Sequence, residues 1–447
     1  MQKDLTQGGV FKTLASFSAP FLLAYFLQTF YGLADLFIIG QYAGAPDITA
    51  VAVGSQVMHM LTVMVVGLAM GTTVMISRAV GGKDYNTVGR TIGNSIVLFG
   101  GVSVVACLAL LVGVDGIVSL MSTPVESVAQ TRQYLIVCFL GVPLIVAFNI
   151  VSSIFRGLGD SKSPMYFVAV ACVLNVLLDF LFIGVMGMKA EGAAYATVIS
   201  QFCSVLFSSL LIHRSRESFH FSKRMMRPKG ESLRNILQIG LPISLQDGFI
   251  QVSFIVITVI ANRRGVEVAA AVGIVEKIIC ILFLVPSSML SAISAIAAQN
   301  IGAGRPERAR ATLRFGIYVC LAYGFLFSAV LQPMSDPLIS MFTDDSAVVL
   351  FGGQYLRAYV VDCALAGVHF CFSGYFCACG LSIVSFIHNL LSIVLVRIPG
   401  TYLASVWYPD HLTPMGMAAP LGSLLSIVIC MGVYISRKKD RDCIANG

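Results

Sequence analysis

Gln133-Tyr134-Leu135 returns as Gln354-Tyr355-Leu356, Val80-Gly81-Gly82 as Ile301-Gly302-Ala303, and Phe155 with Gly159 as Phe376 with Gly380. The offset is constant: 354−133, 301−80 and 376−155 all equal 221. A long repeat at one fixed spacing means that the chain is written twice. Each copy carries about six apolar runs of bilayer-crossing length. Internally duplicated membrane proteins typically bind a substrate between their halves, so transport is the first expectation.

Composition agrees with that reading. Apolar residues make up 57% of the 447, charged residues only 11%, and the mean hydropathy is +0.87. These values lie far from those of soluble globular proteins. A hydrocarbon core takes about 20 helical residues to span. Twelve such runs begin near Thr13, Ala50, Thr91, Thr131, Pro164, Gly192, Asn235, Val268, Thr312, Val349, Val384 and Pro414. They are too long, and alternate too little, for the strands of a barrel. The expected fold is therefore an all-α polytopic membrane protein, with twelve transmembrane helices in two six-helix pseudo-symmetric lobes. The first run is too long for a signal-peptide core and is expected to remain as helix one. Most of the twelve cysteines lie in apolar runs, where cysteine packs as a small hydrophobe, and Cys377 with Cys379 is read the same way.

Lys and Arg concentrate in alternate loops: Arg78, Lys83 and Arg90; Arg156 and Lys162; Arg305, Arg308, Arg310 and Arg314; then Arg437, Lys438, Lys439 and Arg441. By the positive-inside rule both termini face the cytoplasm, with Arg263-Arg264 as the exception, and the chain is assigned to the inner (plasma) membrane. The net charge of +7 then reflects topology and no nucleic-acid partner. The domains expected are an N-terminal lobe (1–213), a basic cytoplasmic linker (214–234), a C-terminal lobe (235–436) and a basic cytoplasmic tail (437–447).

Ionisable side chains inside spans cost roughly 2.5 to 3.5 kcal/mol each on insertion scales, which makes each a functional candidate. The first half has two, Asp35 and Asp179. Gln28, Tyr31 and Asp35 share one helical face, and Asn175 lies one turn before Asp179. Two such carboxylates are neutralised by taking up protons or by holding a metal cation together with neutral oxygens, and either is ion-coupling chemistry. Pro20 removes one hydrogen bond from helix one and permits a kink there. The second half carries both signs: Asp247, Glu276 with Lys277, Arg357, Asp362 and Arg397. These form either an ion-pair network or part of a substrate site. His369 and His388 also fall within helical runs, and a satisfied buried histidine is the plainer reading beside proton shuttling.

The combination of Pro20, Gln28, Tyr31 and Asp35 with Arg156-Gly157-Leu158-Gly159-Asp160-Ser161-Lys162, Asn175-x-x-x-Asp179, Gly192-Ala193-Ala194-Tyr195-Ala196-Thr197 and Ala298-Gln299-Asn300-Ile301-Gly302-Ala303-Gly304 resembles the multidrug and toxic compound extrusion family. The resemblance covers nearly the whole chain and is closest to the DinF-like branch. It implies two lobes in a V and export of lipophilic or cationic organic compounds in exchange for inward H⁺ or Na⁺. Carried over by position, the coupling site is Asp35, Asn175, Asp179 and Thr197, with Tyr31 and Gln28 nearby; Na⁺, where used, falls at Asp35, Asp179 and Asn175. The NorM-like branch places an acid deeper in helix seven, where Phe249-Ile250-Gln251-Val252 has none, although Asp247 precedes it by one turn.

Several readings compete. The major facilitator pattern is absent from Gly81-Gly82-Lys83-Asp84-Tyr85-Asn86. An intramembrane enzyme lacks support, since no H-E-x-x-H, G-x-S-x-G or P-loop occurs; no catalytic residue and no cofactor are expected. The remaining alternative is a flippase of lipid or lipid-linked oligosaccharide on a related fold, hinted at by Arg357 and Arg397. With both lobes in one chain, a monomer is expected to suffice, its expected partners being small organic, cationic substrates and the lipid bilayer.

Overall fold

The computed structural model describes residues 4–214 and 223–439. Part of the basic linker, residues 215–222, and the tail from residue 440 onward therefore lie outside the described residues. Every element among the described residues is helical. Ten helices are long and apolar enough to cross a membrane: α1 (Val10–Tyr42), α2 (Ala45–Gly81), α3 (Tyr85–Val112), α5 (Lys162–Val185), α6 (Lys189–Ile212), α7 (Gly230–Asn262), α8 (Val266–Gly302), α9 (Pro306–Ser340), α11 (Ser382–Trp407) and α12 (Thr413–Arg437). Two bent pairs complete the twelve: α4 (Val125–Leu140 with Val142–Gly157, 46°) and α10 (Ser346–Tyr359 with Asp362–Ala378, 41°). The bends fall on the same member of each repeat.

Other irregularities repeat as well. A wide π-helical turn closes α5 at Phe180–Val185, and a second lies in α11 at Ile393–Arg397. The first helices of the two repeats, α1 and α7, each run for 33 residues and contain an internal proline, Pro20 and Pro242. Both helices continue through the proline.

By their contacts the residues fall into two compact units. Unit one contains Met1–Asp4 and Leu23–Gly240, and unit two contains Leu5–Leu22 and Leu241–Gly447. Each leading helix thus changes unit within three residues of its proline. In unit one, Gly71 of α2 and Gly240 of α7 explain how the start of α7 packs there. A Cβ on Gly71 would lie 2.1 Å from the Ile236 carbonyl oxygen, and one on Gly240 would lie 2.2 Å from that of Leu68. Only glycine permits so close a backbone crossing. The core of unit one is built around Val51, Ile76, Phe99, Phe139, Phe155 and Phe167. That of unit two contains Val272, Ile279, Tyr355, Tyr359 and Met415.

Outside the spans, Asp84 caps α3, accepting hydrogen bonds from the Thr87 hydroxyl (2.6 Å) and amide (3.0 Å). These bonds, the hydroxyl's first, hold its carboxyl below the ordinary carboxylate range. In unit two the N-terminal segment is tied to the end of α8 and the start of α9. The Leu5 amide donates to Gln299 Oε1 (3.1 Å), and Arg305 donates to the Thr6 carbonyl (2.9 Å).

Candidate ion-coupling site

On α1, Tyr31 and Asp35 face the interior of unit one; on α5, Asn175 and Asp179 do the same one turn apart. Asp35, Asn175 and Asp179 are 3%, 1% and 0% exposed. The Asp35 carboxyl meets the side chains of Asp179 and Asn175. Counted as acceptors only, both Asp179 oxygens, Asp35 Oδ1 and Asn175 Oδ1 have no donor. A carboxylate has no proton to give, so contact between two carboxyls becomes a hydrogen bond only when one of them is protonated. Among the described residues no cation pairs with either acid, and no three His, Cys, Asp or Glu side chains gather as a metal cluster.

Thr197 of α6 extends this group, its hydroxyl 3.5 Å from Asn175 Nδ2. Tyr31 lies beside Asp35. Gln28 is half-buried two turns earlier on α1 and is not among the side chains that hydrogen-bond Asp35. Pro20 belongs to unit two, so it is not part of this cluster. The structure adds residues that sequence reading passed over. Tyr134 and Cys138 of α4 lie next to Asp35, and the Tyr134 hydroxyl is 3.2 Å from Ser55 Oγ of α2. Gly54 makes room for that ring, since a Cβ there would lie 2.2 Å from Tyr134 Cδ1. Tyr134 had a signal in the sequence, because it is the tyrosine of the repeated Gln-Tyr-Leu; Ser55 had none.

In unit two the second set of charges divides into three places. Glu276 of α8, Asp362 of α10 and Arg397 of α11 come together. The Arg397 guanidinium lies over the rings of Phe254 (4.8 Å) and Tyr359 (5.7 Å) and donates to the Tyr359 hydroxyl, while its Nε has no acceptor. Thr258 of α7 donates to Glu276, its hydroxyl 3.4 Å from Oε2. Asp247 sits apart, beside Cys377. Arg357 lies elsewhere again, bonded to Asp336 with both side chains partly exposed (37% and 42%). Arg264, at the sequence's exceptional basic pair, donates to the carbonyls of Tyr408 (3.3 Å) and Pro409.

Known proteins share this fold. Residues 20–181 and 242–403 match the MatE family, and the two matched segments open on Pro20 and Pro242. The probable multidrug resistance protein YpnP of Bacillus subtilis is 31% identical over 404 residues, 90% of either chain. An FAD transporter of Shewanella oneidensis is 25% identical over 94% of this chain and 93% of its own. A solved structure described as the outward-facing conformation of a multidrug resistance MATE family transporter of the MOP superfamily has the same fold, with a TM-score of 0.91, 22% identity and 98% of each chain covered. Two matched segments, one in each written copy and together well over half of the sequence, leave one assignment: this multi-pass membrane protein belongs to MatE, the multidrug and toxic compound extrusion family.

Proposed function

We propose that the protein is an antiporter that exports lipophilic or cationic organic compounds in exchange for inward H⁺ bound at Asp35 and Asp179. The observation that carries the reading is the meeting of two buried carboxyls with no cation beside them among the described residues. A charge that the fold does not balance is balanced by something that arrives and leaves. Asn175 and Thr197 hold the pair from α5 and α6, and Tyr31 borders it from α1. The multidrug resistance relative supports a drug-like cargo. Both termini are placed in the cytoplasm and the protein in the plasma membrane, on the positive-inside distribution of Lys and Arg.

A second reading, Na⁺ as the coupling ion, draws on the unpartnered oxygens of Asp35, Asn175 and Asp179. Hard cations take such oxygen ligands. For the cargo, the aromatic faces of Phe254 and Tyr359 around Arg397 favour planar compounds as an alternative, and one relative is named as an FAD transporter. The flippase reading rests on Arg397 alone, because Arg357 is engaged by Asp336.

The deciding experiment reconstitutes the protein in liposomes and imposes a pH gradient or a Na⁺ gradient, with a fluorescent lipophilic cation as cargo. Uphill movement driven by the pH gradient and lost in Asp35→Asn is expected. Movement driven by Na⁺ alone establishes the second reading, and no movement under either gradient overturns antiport.

A further inference from the structure

The motif Arg156-Gly157-Leu158-Gly159-Asp160-Ser161-Lys162 carries a buried charge that the coupling site above does not use. Arg156 lies in the last turn of the second segment of α4 and is only 8% exposed. Among the described residues no acid pairs with its guanidinium, and its Nε has no hydrogen-bond partner. Asp160, the nearest acid along the chain, is engaged at the start of α5, where it accepts from the Lys162 amide (2.9 Å) and the Ser163 hydroxyl (2.7 Å). The titratable group beside Arg156 is the phenol of Tyr25 on α1, and a phenol is neutral near pH 7 and balances no charge. One turn before Arg156, on the same helical face, Ser152 is 5% exposed, and its Oγ also has no partner.

The packing of α4 on α2 fixes where this face points. The Thr73 hydroxyl donates to the Ser153 carbonyl (3.2 Å), and the Ser77 hydroxyl donates to that of Gly157 (3.1 Å). A Cβ on Gly157 would lie 2.7 Å from Ile76 Cβ. Position 157 thus lies against α2, and Arg156, about 100° round the helix from it, is turned to one side of that contact together with Ser152. The repeat supplies an internal control. Arg156 stands against Cys377 and Ser152 against Ser373, since 377−156 and 373−152 both equal 221. In unit two the thiol is 0% exposed, and the Ser373 Oγ lies 3.0 Å from His388 Nε2. The scaffold therefore accepts a small uncharged side chain where unit one has the guanidinium, and the serine that has a partner in unit two has none in unit one.

We propose that Arg156 and Ser152 form an anion-binding subsite in unit one that takes a carboxylate or phosphate group. Buried charges are stable when paired, and a guanidinium presents its donors in a planar fork that matches two oxygens of such a group. The Ser152 hydroxyl, one turn away, supplies a further donor. The group arrives either on the cargo or on the headgroup of an anionic lipid. Both are at hand at the cytoplasmic end of α4, where the positive-inside distribution places the loop that follows Arg156. The subsite goes beyond the antiport reading and does not depend on which ion is coupled.

The test measures, by fluorescence anisotropy, the binding of two probes to the purified full chain in a non-ionic detergent: rhodamine B, which carries a free carboxylate, and its ethyl ester, which does not. The wild type is expected to bind the carboxylate about tenfold more tightly than the ester, the size of one charge-assisted hydrogen bond. That preference is lost in Arg156→Gln, reduced in Ser152→Ala, partly kept in Arg156→Lys and unchanged in Asp35→Asn. Thermal unfolding shows whether each variant is folded; where Arg156→Gln is not, Ser152→Ala, which removes one oxygen, carries the result. A second arm identifies the source of the anion, by native mass spectrometry of protein extracted from membranes containing phosphatidylglycerol. Retained phosphatidylglycerol that is lost in Arg156→Gln assigns the subsite to a lipid phosphate, whereas a carboxylate preference without retained lipid assigns it to the cargo. Equal binding of the two probes, together with lipid retention indifferent to Arg156→Gln and Ser152→Ala, overturns the proposal and leaves a guanidinium that only packs beside Tyr25. Neither arm imposes a gradient, so this subsite and the antiport reading fail independently.

Discussion

The same positions carry opposite chemistry in the two units. At the repeat offset, Ser55 stands against Glu276, Tyr134 against Tyr355 and Cys138 against Tyr359, since 276−55, 355−134 and 359−138 all equal 221. In unit one a serine and a tyrosine bond each other, and among the described residues the acids next to them, Asp35 and Asp179, hydrogen-bond only each other and Asn175. In unit two the serine position is an acid, and Arg397 stands by it, held on aromatic faces and close to Asp362. One scaffold therefore hosts a pair of acids with no cation beside them in one copy and, in the other, a pair of acids that share the guanidinium of Arg397. A pair of acids with no cation of its own is the physical reason to place coupling in unit one.

The comparison breaks first where the charge is unbalanced. Asp35→Asn and Asp179→Asn are each expected to reduce gradient-driven export at least about tenfold, because each removes a coupling carboxyl, while Glu276→Gln leaves export responsive to the gradient. Export assays in liposomes decide it, and equal loss in all three would erase the distinction between units. Next in size is Arg397→Met, which strips the guanidinium from Glu276 and Asp362. Breaking a buried pair costs about 3–5 kcal/mol, so the unfolding temperature in detergent should fall, and adding Glu276→Gln should recover part of it. A neutral outcome would mean that Arg397 does not offset the two acids beside it.

A smaller effect sharpens the contrast at Tyr134. Gly54→Ala drives a Cβ into the Tyr134 ring, whereas the counterpart position already carries Val275 (275−54 = 221). Overpacking of this kind costs about 1–3 kcal/mol, readable by thermal unfolding, and Val275→Ala should not displace Tyr355. Smallest is the turn after the second helix of each repeat. Lys83 has φ 59°, and its counterpart Gly304 has φ 68° (304−83 = 221). A side chain in that region costs about 1 kcal/mol relative to glycine. Lys83→Gly should stabilise by up to that amount and Gly304→Lys should destabilise comparably, as thermal unfolding would show.

Much of this was legible before any coordinates. Twelve apolar runs were expected; ten are continuous helices, and the runs near Thr131 and Val349 are bent pairs. The acids at 35 and 179 stood out because charge inside an apolar run is costly wherever it occurs. Their meeting, and the arrival of Tyr134, Cys138 and Ser55 beside them, did not stand out, because a single polar residue on a helix leaves no periodic trace. Arg357 and Arg397 looked alike as letters. One is tied to Asp336 at a partly exposed place, and the other lies on Phe254 and Tyr359.

By itself, then, the sequence determined the duplication, the spans, the family and the two acids, since repeat offset, hydropathy and misplaced charge are all properties of a single line of residues. Tertiary structure decided which charges meet, which acids have a cation beside them, and where α1 and α7 change unit beside Pro20 and Pro242. Those outcomes depend on helices brought together across more than a hundred residues, as with Asp35 and Asp179. Distance in space, which sets whether two carboxyls share a proton or a cation, is not written along the chain.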